Sequence, residues 1–307
     1  MEVFNPAGSS KDRTARSLIE DAEAKGQISA STIILESTSG NLGIALSRVC
    51  KERGYPFVAV IDPNTTPESI GMMREMGAQI EMVNERSNSG GYLIGRLERV
   101  QQLCETSSRY LWLNQYANPA NPYIHYATTA PEIYSQMNRE VDAIFVAVST
   151  GGTLAGIAKY FREVSPATKI VAVDAVGSVI FGGPPGPRRL TGIGSARSSD
   201  FLQKSHYDFV YSVTDEDAFM FCRTLFDRTR IKIGGSSGAV LIACTDFIFS
   251  RSEIENVVCL CADGGQNYDS TIFNESWLKE EGIVLPKSLP IEDITVDPED
   301  TFERPAP

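Results

Sequence analysis

A lysine directly after a glycine turn is the first residue in this sequence whose type and setting suit covalent chemistry. Asn5-Pro-Ala-Gly-Ser-Ser-Lys11 leads from a turn into a predicted helix, with Ser9 or Ser10 as the expected N-cap. Lys11 then lies in the first helical turn, where the partial positive charge of the helix end disfavours the ammonium form. A lysine with a lowered pKa can attack a carbonyl carbon and form a Schiff base. The alternative is a solvated lysine that opens an amphipathic helix.

A glycine turn in the middle of the chain has the residues of an anion site. Val148-Ser-Thr-Gly-Gly-Thr153 follows a predicted buried strand and opens a predicted helix. Backbone N–H groups at such a junction, together with hydroxyl groups, bind anions. The sequence has neither a P-loop nor a dinucleotide fingerprint, so the turn suits one phosphate better than a nucleotide. A tight strand-to-helix connection is the alternative. The residues concerned are Ser149, Thr150, Gly151, Gly152 and Thr153.

Two further junctions carry hydroxyl and amide groups. Glu36-Ser-Thr-Ser-Gly-Asn-Leu-Gly43 suits a carboxylate, and its asparagine suits a phenolate-like oxygen, although an N-cap with close glycine packing explains it equally well. Gly234-Gly-Ser-Ser-Gly238 is predicted as a turn whose hydroxyls either meet a ring nitrogen or cap the next helix. The candidate ligand-binding residues here are Thr38, Ser39, Gly40, Asn41 and Ser236.

Three other polar residues have open interpretations. Arg96 lies in a predicted helix and by itself is read as a surface arginine. Gln115 and Tyr116 follow the predicted strand 110–113 and are either site residues or packing and turn residues.

The order of predicted elements alternates strand and helix. Apolar runs such as Phe57-Val-Ala-Val-Ile61 indicate buried strands, and helical spacing lies between them. Such alternation produces parallel sheets covered by helices, so we predict an α/β fold. We expect a smaller N-terminal αβα domain over 1–135 and a larger αβα domain over 136–290. The acidic, proline-rich segment 291–307 is expected to be disordered.

Composition excludes several function classes. The chain has 307 residues and a net charge of −11, which argues against nucleic acid or an anionic membrane as a partner. No apolar run approaches ~18 residues, and the N-terminus lacks the pattern of a signal peptide. The six cysteines include no C-x-x-C pair and the two histidines lie far apart, so we expect reduced thiols, no metal site and a cytoplasmic protein.

The combination of these features suggests pyridoxal 5'-phosphate as a cofactor. They are the lysine at a helix start, the turn suited to one phosphate, the loop suited to a carboxylate and the turn with two serine hydroxyls. The chain resembles the cysteine synthase family of fold-type-II pyridoxal-phosphate enzymes. Asn5-Pro-Ala-Gly-Ser-Ser-Lys-Asp-Arg resembles its N-P-G-G-S-x-K-D-R motif, and Thr38-Ser-Gly-Asn-Leu-Gly, Ser149-Thr-Gly-Gly-Thr and Ser236-Ser-Gly-Ala resemble its substrate, phosphate and pyridine-nitrogen motifs. The likeness runs from Asn5 to about Tyr268 and also includes Asn118-Pro-Ala-Asn-Pro.

The resemblance implies two three-layer αβα domains of the tryptophan synthase β type, amino-acid substrates and a homodimer. Lys11 would hold the cofactor and move the α-proton, with Asn41, the phosphate turn and Ser236 also binding it. Thr38, Ser39, Gly40 and Gln115 would hold the substrate carboxylate. Family members carry roughly thirty or more residues before the lysine motif, so we expect a shortened N-terminal segment.

Four stretches carry a narrower likeness to one branch of this family. That branch joins O-phospho-L-serine to L-glutamate for siderophore assembly and supplies 2,3-diaminopropionate. The four stretches are Glu36 to Leu46, Gly90-Gly-Tyr-Leu with Arg96, Asn114-Gln-Tyr-Ala-Asn and Val173 to Gly182. That likeness assigns Arg96, Tyr116 and Ser149 to substrate groups. Sulfhydrylation of O-phosphoserine or O-acetylserine to cysteine is the first alternative, and a non-catalytic binding protein is the second.

Overall fold

Parallel strands form the core of the protein. The computed structural model describes residues 1–85, 92–249 and 251–286. Within these residues two four-stranded sheets form, with the orders β3-β2-β1-β4 and β7-β6-β5-β8, and every pairing is parallel. The predicted α/β class with mainly parallel sheets is confirmed. The strands are β1 (Ile33–Ser37), β2 (Phe57–Ile61), β3 (Gln79–Met82), β4 (Tyr110–Trp112), β5 (Ala143–Ala147), β6 (Lys169–Ala175), β7 (Phe209–Val213) and β8 (Val257–Cys259).

Helices cover the sheets because parallel strands need long crossover connections. A π-helical turn, His125–Thr129, joins two short helices into one run. The helices are α1 (Lys11–Ala24), α2 (Asn41–Arg53), α3 (Pro67–Glu75), α4 (Leu93–Thr106), α5 (Ala120–Ile124), α6 (Ala130–Gln136), α7 (Gly152–Val164), α8 (Asp215–Thr229), α9 (Gly235–Phe249) and α10 (Glu275–Glu280).

Local sequence explains several helix starts. The Thr66 side chain accepts a hydrogen bond from the Ser69 backbone N–H, and Pro67 occupies the first helical position of α3. Thr214 caps α8 in the same way, and three acidic residues follow in the first turn. The left-handed Gly54 (φ 75°) ends α2, as the glycine after the last apolar residue predicts.

Some predicted elements differ from the structure. Gly234–Gly238 is not a free turn, because α9 already begins at Gly235 and buries its first turn. Strand β7 was not predicted, since its alternation of half-buried and exposed residues at a sheet edge is weaker than the apolar runs of inner strands. Gly90 and Gly91 of one quoted motif and the proposed disordered segment 291–307 lie outside the described residues.

The N-terminal segment before Lys11 pairs with the segment that follows β8. The backbone N–H of Glu2 donates to the Cys261 carbonyl (2.9 Å), and that of Ser10 donates to the Ala262 carbonyl (2.8 Å). Ser9 and Asp263 form an isolated antiparallel bridge. Helix α1 therefore begins beside the carboxyl end of β8. Among the described helices, none combines the length and apolar character needed to cross a membrane.

Candidate active site

A small inner cavity of about 70 Å³ brings together most of the residues singled out in the sequence. It lies where the carboxyl ends of β1 and β5 meet the start of α1, which is the usual place for ligands in open parallel sheets. The predicted site residues that line it are Lys11, Thr38, Ser39, Gly40, Asn41, Gln115, Tyr116, Ser149, Thr150 and Ser236. Gly151, Gly152 and Thr153 continue the same turn into α7 but do not line this cavity, and Arg96 lies farther out.

Lys11 has the lowered pKa that covalent chemistry needs, although the main cause differs from the expected one. Burial lowers the pKa of Lys11, while the negative charges of Asp263 and Glu2 oppose the shift. The sequence argument relied on the helix end, whereas removal of the ammonium group from water is the larger effect. A lysine in this setting is poised to act as a nucleophile and then as a base.

The loop before α2 is held closed by its own threonine. Thr38 Oγ1 accepts hydrogen bonds from the backbone N–H groups of Gly43 (2.9 Å) and Gly40 (3.3 Å). A Cβ at Gly43 would lie 2.5 Å from the Met73 sulfur and 2.7 Å from Thr38 Cγ2, so only glycine fits there. The predicted close glycine packing is therefore present, but the N-cap residue of α2 is Gly40, which has no side chain to cap the helix, and Thr38 binds the Gly43 N–H in its place. The loop lines the inner cavity.

Asn41 is clamped by two residues that sequence reasoning missed. Its Nδ2 donates to Asp263 Oδ2 (2.7 Å), and its Oδ1 accepts from Asn267 Nδ2 (3.3 Å). These two hydrogen bonds fix the orientation of the amide, which lines the inner cavity.

Asp263 is the centre of this clamp. The Tyr268 hydroxyl also donates to its Oδ2 (2.5 Å), while its buried Oδ1 has no hydrogen-bond partner among the described residues. Burial raises the pKa of Asp263, and the hydrogen bonds from Tyr268 and Asn41 oppose the shift. The available signal was its position, because Asp263 follows the apolar run that forms the half-buried edge strand β8, at the carboxyl end of a parallel strand.

The turn between β5 and α7 is built for close approach to its backbone. Gly151 adopts φ 88°, and a Cβ there would lie 2.3 Å from Ser199 Oγ. A Cβ at Gly152 would lie 2.3 Å from Asn121 Oδ1. The first N–H groups of α7 have no partner within the helix, and they point toward its N-terminal end, where anions are favoured.

A buried histidine supports this turn from behind. His125 is fully buried in the π-helical turn, and its Nε2 lies 3.2 Å from both Thr14 Oγ1 and Thr153 Oγ1. Its Nδ1 lies 2.9 Å from Thr129 Oγ1. Burial, with the positive charges of Lys11 and Arg13, lowers the pKa of His125 to about 3, so the ring is neutral. It therefore orients Thr153 by hydrogen bonding alone.

The two remaining inner residues have defined orientations. Ser236 lines the cavity, whereas the Ser237 hydroxyl lies 3.5 Å from the Asp263 carbonyl oxygen. Ser236 is therefore the serine of this pair that can contact a ligand in the inner cavity, and Ser237 instead contacts the backbone. Gln115 is buried, and its Nε2 donates to the Ser37 carbonyl (2.6 Å), so its amide is anchored to the end of β1.

A larger outer cavity of about 500 Å³ adjoins the inner one. The two share lining residues, namely Ser39, Tyr116, Ser149, Thr191 and Gly192. Tyr116 and Ser149, both predicted to hold substrate, therefore lie at the boundary between the cavities.

Arg96 lines only the outer cavity, and its interpretation as a surface arginine is wrong. The residue is 6% exposed, and its Nε lies 3.0 Å from Asp62 Oδ2. Its Nη1 is buried and has no hydrogen-bond partner among the described residues. Because an unpaired buried guanidinium donor is unfavourable, this atom is a candidate contact for an anionic ligand group.

Glu36 is a second buried charge that the sequence argument did not use. It is fully buried at the end of β1 and accepts from the Trp112 indole N–H (3.0 Å) and from the backbone N–H groups of Ser37 (2.8 Å) and Gln115 (3.0 Å). Burial nevertheless raises the pKa of Glu36 to about 7. It therefore ties the Asn41 loop to the segment that carries Gln115 and Tyr116.

Two curated relatives align with nearly the whole chain. One is an N-(2-amino-2-carboxyethyl)-L-glutamate synthase from Ralstonia nicotianae, 44% identical over 278 residues, which are 91% of this chain and 82% of the relative. The other is an N-(2-amino-2-carboxyethyl)-L-glutamate synthase from Cupriavidus metallidurans, 40% identical over 281 residues with the same two coverages.

Solved structures of related enzymes have the same fold. An O-acetylserine dependent cystathionine β-synthase from Helicobacter pylori matches with a TM-score of 0.82 and 31% identity, covering 88% of this chain and 87% of that one. A mutant O-ureido-L-serine synthase with bound O-ureido-L-serine matches with a TM-score of 0.84 and 30% identity, covering 92% and 89%. The fold is therefore that of the fold-type-II, cysteine synthase-like enzymes.

The family model described as pyridoxal-phosphate dependent enzyme matches residues 1–263. That range contains Lys11, the Asn41 loop, the 149–153 turn and Ser236, which are the residues that the fold assembles around one cavity. The chain therefore belongs to the pyridoxal-phosphate dependent enzyme family.

Proposed function

We propose that this protein is a β-substituting transferase that joins O-phospho-L-serine to the amine of L-glutamate. The product would be N-(2-amino-2-carboxyethyl)-L-glutamate, a precursor of 2,3-diaminopropionate for siderophore assembly. We further propose a cytoplasmic homodimer whose domains divide near residue 135. The names of the two curated relatives support this reaction, and the outer cavity supplies its physical rationale.

The residues present fit pyridoxal phosphate. The crowded, left-handed glycine turn at 151–152 exposes backbone N–H groups at the start of α7, as one phosphate group requires. Lys11, with its lowered pKa, lies in the same cavity as the Asn41 amide and the Ser236 hydroxyl. Lys11 would hold the cofactor, Ser149 to Thr153 its phosphate, Asn41 its phenolic oxygen and Ser236 its ring nitrogen.

The chain's own residues then account for the reaction steps. The Thr38–Asn41 loop, with Gln115, would bind the carboxylate of the donor and orient its Cα–H bond toward Lys11. When bound, the cofactor supplies an electron sink that permits removal of the α-proton. Lys11 accepts that proton, and phosphate leaves Cβ. The neutral amine nitrogen of the second substrate forms its bond to Cβ and loses one proton, which balances the proton that the released phosphate takes up. Lys11 then returns a proton to Cα.

The Nη1 of Arg96, which is buried and has no hydrogen-bond partner within the described ranges, is the observation that supports a phosphorylated donor most directly. An acetyl ester would give this group no charge to pair with, whereas a phosphate would. Tyr116 and Ser149 at the boundary between the cavities add hydroxyl donors for the same group or for the incoming amino acid.

The test compares donors in single-turnover reactions of the holoenzyme without a nucleophile. Release of phosphate from O-phosphoserine should be faster than release of acetate from O-acetylserine. Arg96→Met should slow phosphate release roughly ten- to a hundred-fold, which corresponds to loss of one charge-assisted contact, and should change acetate release much less.

A matched control is Arg99→Met, because Arg99 lies on the same helix but forms an exposed ion pair with Glu81 (2.8 Å). Arg96→Lys, which keeps a cation beside Asp62, guards against a folding defect in Arg96→Met. Equal release rates for the two donors in the unmodified enzyme would contradict the phosphoserine assignment.

Addition of a sulfur nucleophile, as in sulfhydrylation, is the competing function, because one of the solved relatives is a cystathionine β-synthase. The two functions differ in the second half-reaction. An enzyme specific for sulfur nucleophiles would form cysteine from sulfide and would leave glutamate unused.

A further inference from the structure

Three arginines of the described residues line the outer cavity, and they differ in how their charges are balanced. Arg96 pairs with Asp62 (3.0 Å), and Arg189 pairs with Glu281 (2.5 Å). Arg188 has no carboxylate oxygen within 4.0 Å among the described residues. Arg188 is thus the arginine among these three without an ion-pair partner in the described part of the chain, whereas Arg96 offers a ligand only the Nη1 that its pair with Asp62 leaves free.

Backbone contacts hold Arg188 at the cavity wall. Its Nη1 donates to the Gly177 carbonyl oxygen (3.0 Å). Gly194 (φ 77°) packs against the side chain so closely that a Cβ there would lie 2.9 Å from Arg188 Nε. The guanidinium is therefore positioned by the loop rather than by a counter-ion.

The acidic residues nearest to Arg188 are already engaged by backbone donors. Asp215 accepts from the N–H groups of Arg189 (2.5 Å) and Leu190 (2.9 Å). Asp174 accepts from the N–H of Ala175 (2.8 Å). Both attract Arg188 electrostatically at longer range without forming an ion pair with it.

We propose that Arg188 binds the side-chain carboxylate of the amino acid that supplies the amine. This inference rests on the proposed function and names a specificity residue that the sequence did not indicate. The attacking nitrogen must reach the inner cavity, so the α-carboxylate beside it falls near Tyr116 and Ser149, which line both cavities. The side-chain carboxylate lies farther from the nitrogen, and Arg188 lines the outer cavity but not the inner one. Its planar fork matches a carboxylate.

The experiment compares L-glutamate with L-glutamine, which has the same shape without the side-chain charge. The unmodified holoenzyme should prefer glutamate in kcat/KM for adduct formation. Arg188→Gln should reduce that preference roughly ten- to a hundred-fold, mainly through a higher KM for glutamate. Release of phosphate from O-phosphoserine without a nucleophile should stay unchanged. Calorimetric titration of the holoenzyme with glutamate should show the same loss of affinity.

Arg189→Gln is the matched control, since Arg189 is the next residue and lines the same cavity but is paired with Glu281. It should retain the preference for glutamate. Arg188→Ala serves as a second neutral variant if Arg188→Gln does not fold.

The possible failures are distinguishable. If the unmodified enzyme forms no adduct with any amine, the proposed function is wrong, and the role of Arg188, which depends on it, is wrong as well. If the enzyme uses glutamate but both neutral Arg188 variants keep the glutamate-to-glutamine ratio, the function stands and the role of Arg188 is refuted. If the Arg188 substitutions lower the rate of phosphate release and kcat/KM for both glutamate and glutamine by the same factor, Arg188 has a structural role and the proposal is also refuted.

Discussion

Gly152→Ala is a one-atom perturbation of the phosphate turn. The added Cβ would lie 2.3 Å from Asn121 Oδ1 and 2.5 Å from Asn121 Cγ, far inside van der Waals contact. Asn121 cannot move freely, because its Nδ2 donates to the Gln115 carbonyl (2.7 Å) and to Thr150 Oγ1 (3.2 Å). The substitution must therefore displace either the turn or this hydrogen-bonded amide.

The expected size follows from these contacts. Overpacking of a filled site costs about 1–3 kcal/mol. Loss of a hydrogen bond to the displaced amide contributes a further ~0.5–1.5 kcal/mol. We expect the free energy of unfolding of the apoprotein to fall by about 1.5–4.5 kcal/mol. Because the same backbone would bind the phosphate, affinity for pyridoxal phosphate should fall by roughly tenfold or more.

Urea unfolding of the apoprotein and equilibrium titration with pyridoxal phosphate measure the two effects separately. Gly71→Ala in α3 is the control, since a Cβ there meets no atom within 4 Å. In a helix that exchange should leave stability unchanged or raise it by about 0.5–1 kcal/mol. If Gly152→Ala matches Gly71→Ala in both measurements, the assignment of the 149–153 turn as a crowded phosphate cradle is wrong.

Three other substitutions test separate parts of the site. Lys11→Ala should give a folded protein that holds no covalent cofactor, and an adduct still trapped by borohydride would refute Lys11 as the attachment residue. If the Tyr116 hydroxyl binds the incoming amino acid and not the leaving phosphate, Tyr116→Phe should slow adduct formation with glutamate by about 0.5–3 kcal/mol and leave phosphate release nearly unchanged. Rapid-quench measurement of both steps checks this, and equal slowing of both would contradict it. Glu36→Gln tests the pH dependence of stability. The pKa of Glu36 is about 7 in the folded protein and 4.5 ordinarily, so the folded state holds this proton more tightly than the unfolded state. The stability that neutral Glu36 contributes is therefore fully present below about pH 4.5 and is lost as the pH rises to 7. Urea unfolding across that window should show a loss of about 3 kcal/mol in the unmodified protein that Glu36→Gln lacks, and parallel pH curves would show that Glu36 titrates normally.

Sequence reasoning predicted the features that depend on local pattern. Apolar runs located inner strands such as Phe57–Ile61 to the residue, and glycine turns located the loops at their carboxyl ends. Asn41 and Ser149 follow β1 and β5, which belong to different sheets, and Lys11 opens α1, so their meeting in one cavity was predicted from the family resemblance and not from the strand pattern.

Features that depend on distant contacts were not predictable in this way. Asp263 reaches Asn41 across 222 positions of the chain, and nothing in either local stretch specifies that pairing. Arg96 of α4 is buried against Asp62, which directly follows β2, and the helical spacing around Arg96 does not specify that contact. The edge strand Phe209–Val213 alternates in exposure, so its apolar signal was too weak.

Identification of the product is the most direct test of the proposed reaction. The holoenzyme would be incubated with O-phospho-L-serine and ¹⁵N-labelled L-glutamate, and the products analysed by mass spectrometry alongside phosphate release. We predict one labelled N-(2-amino-2-carboxyethyl)-L-glutamate for each phosphate released, with the label on the nitrogen that joins the two carbon chains. Absence of a labelled adduct, together with cysteine formation when sulfide is added, would contradict the proposal and identify the protein as a cysteine synthase.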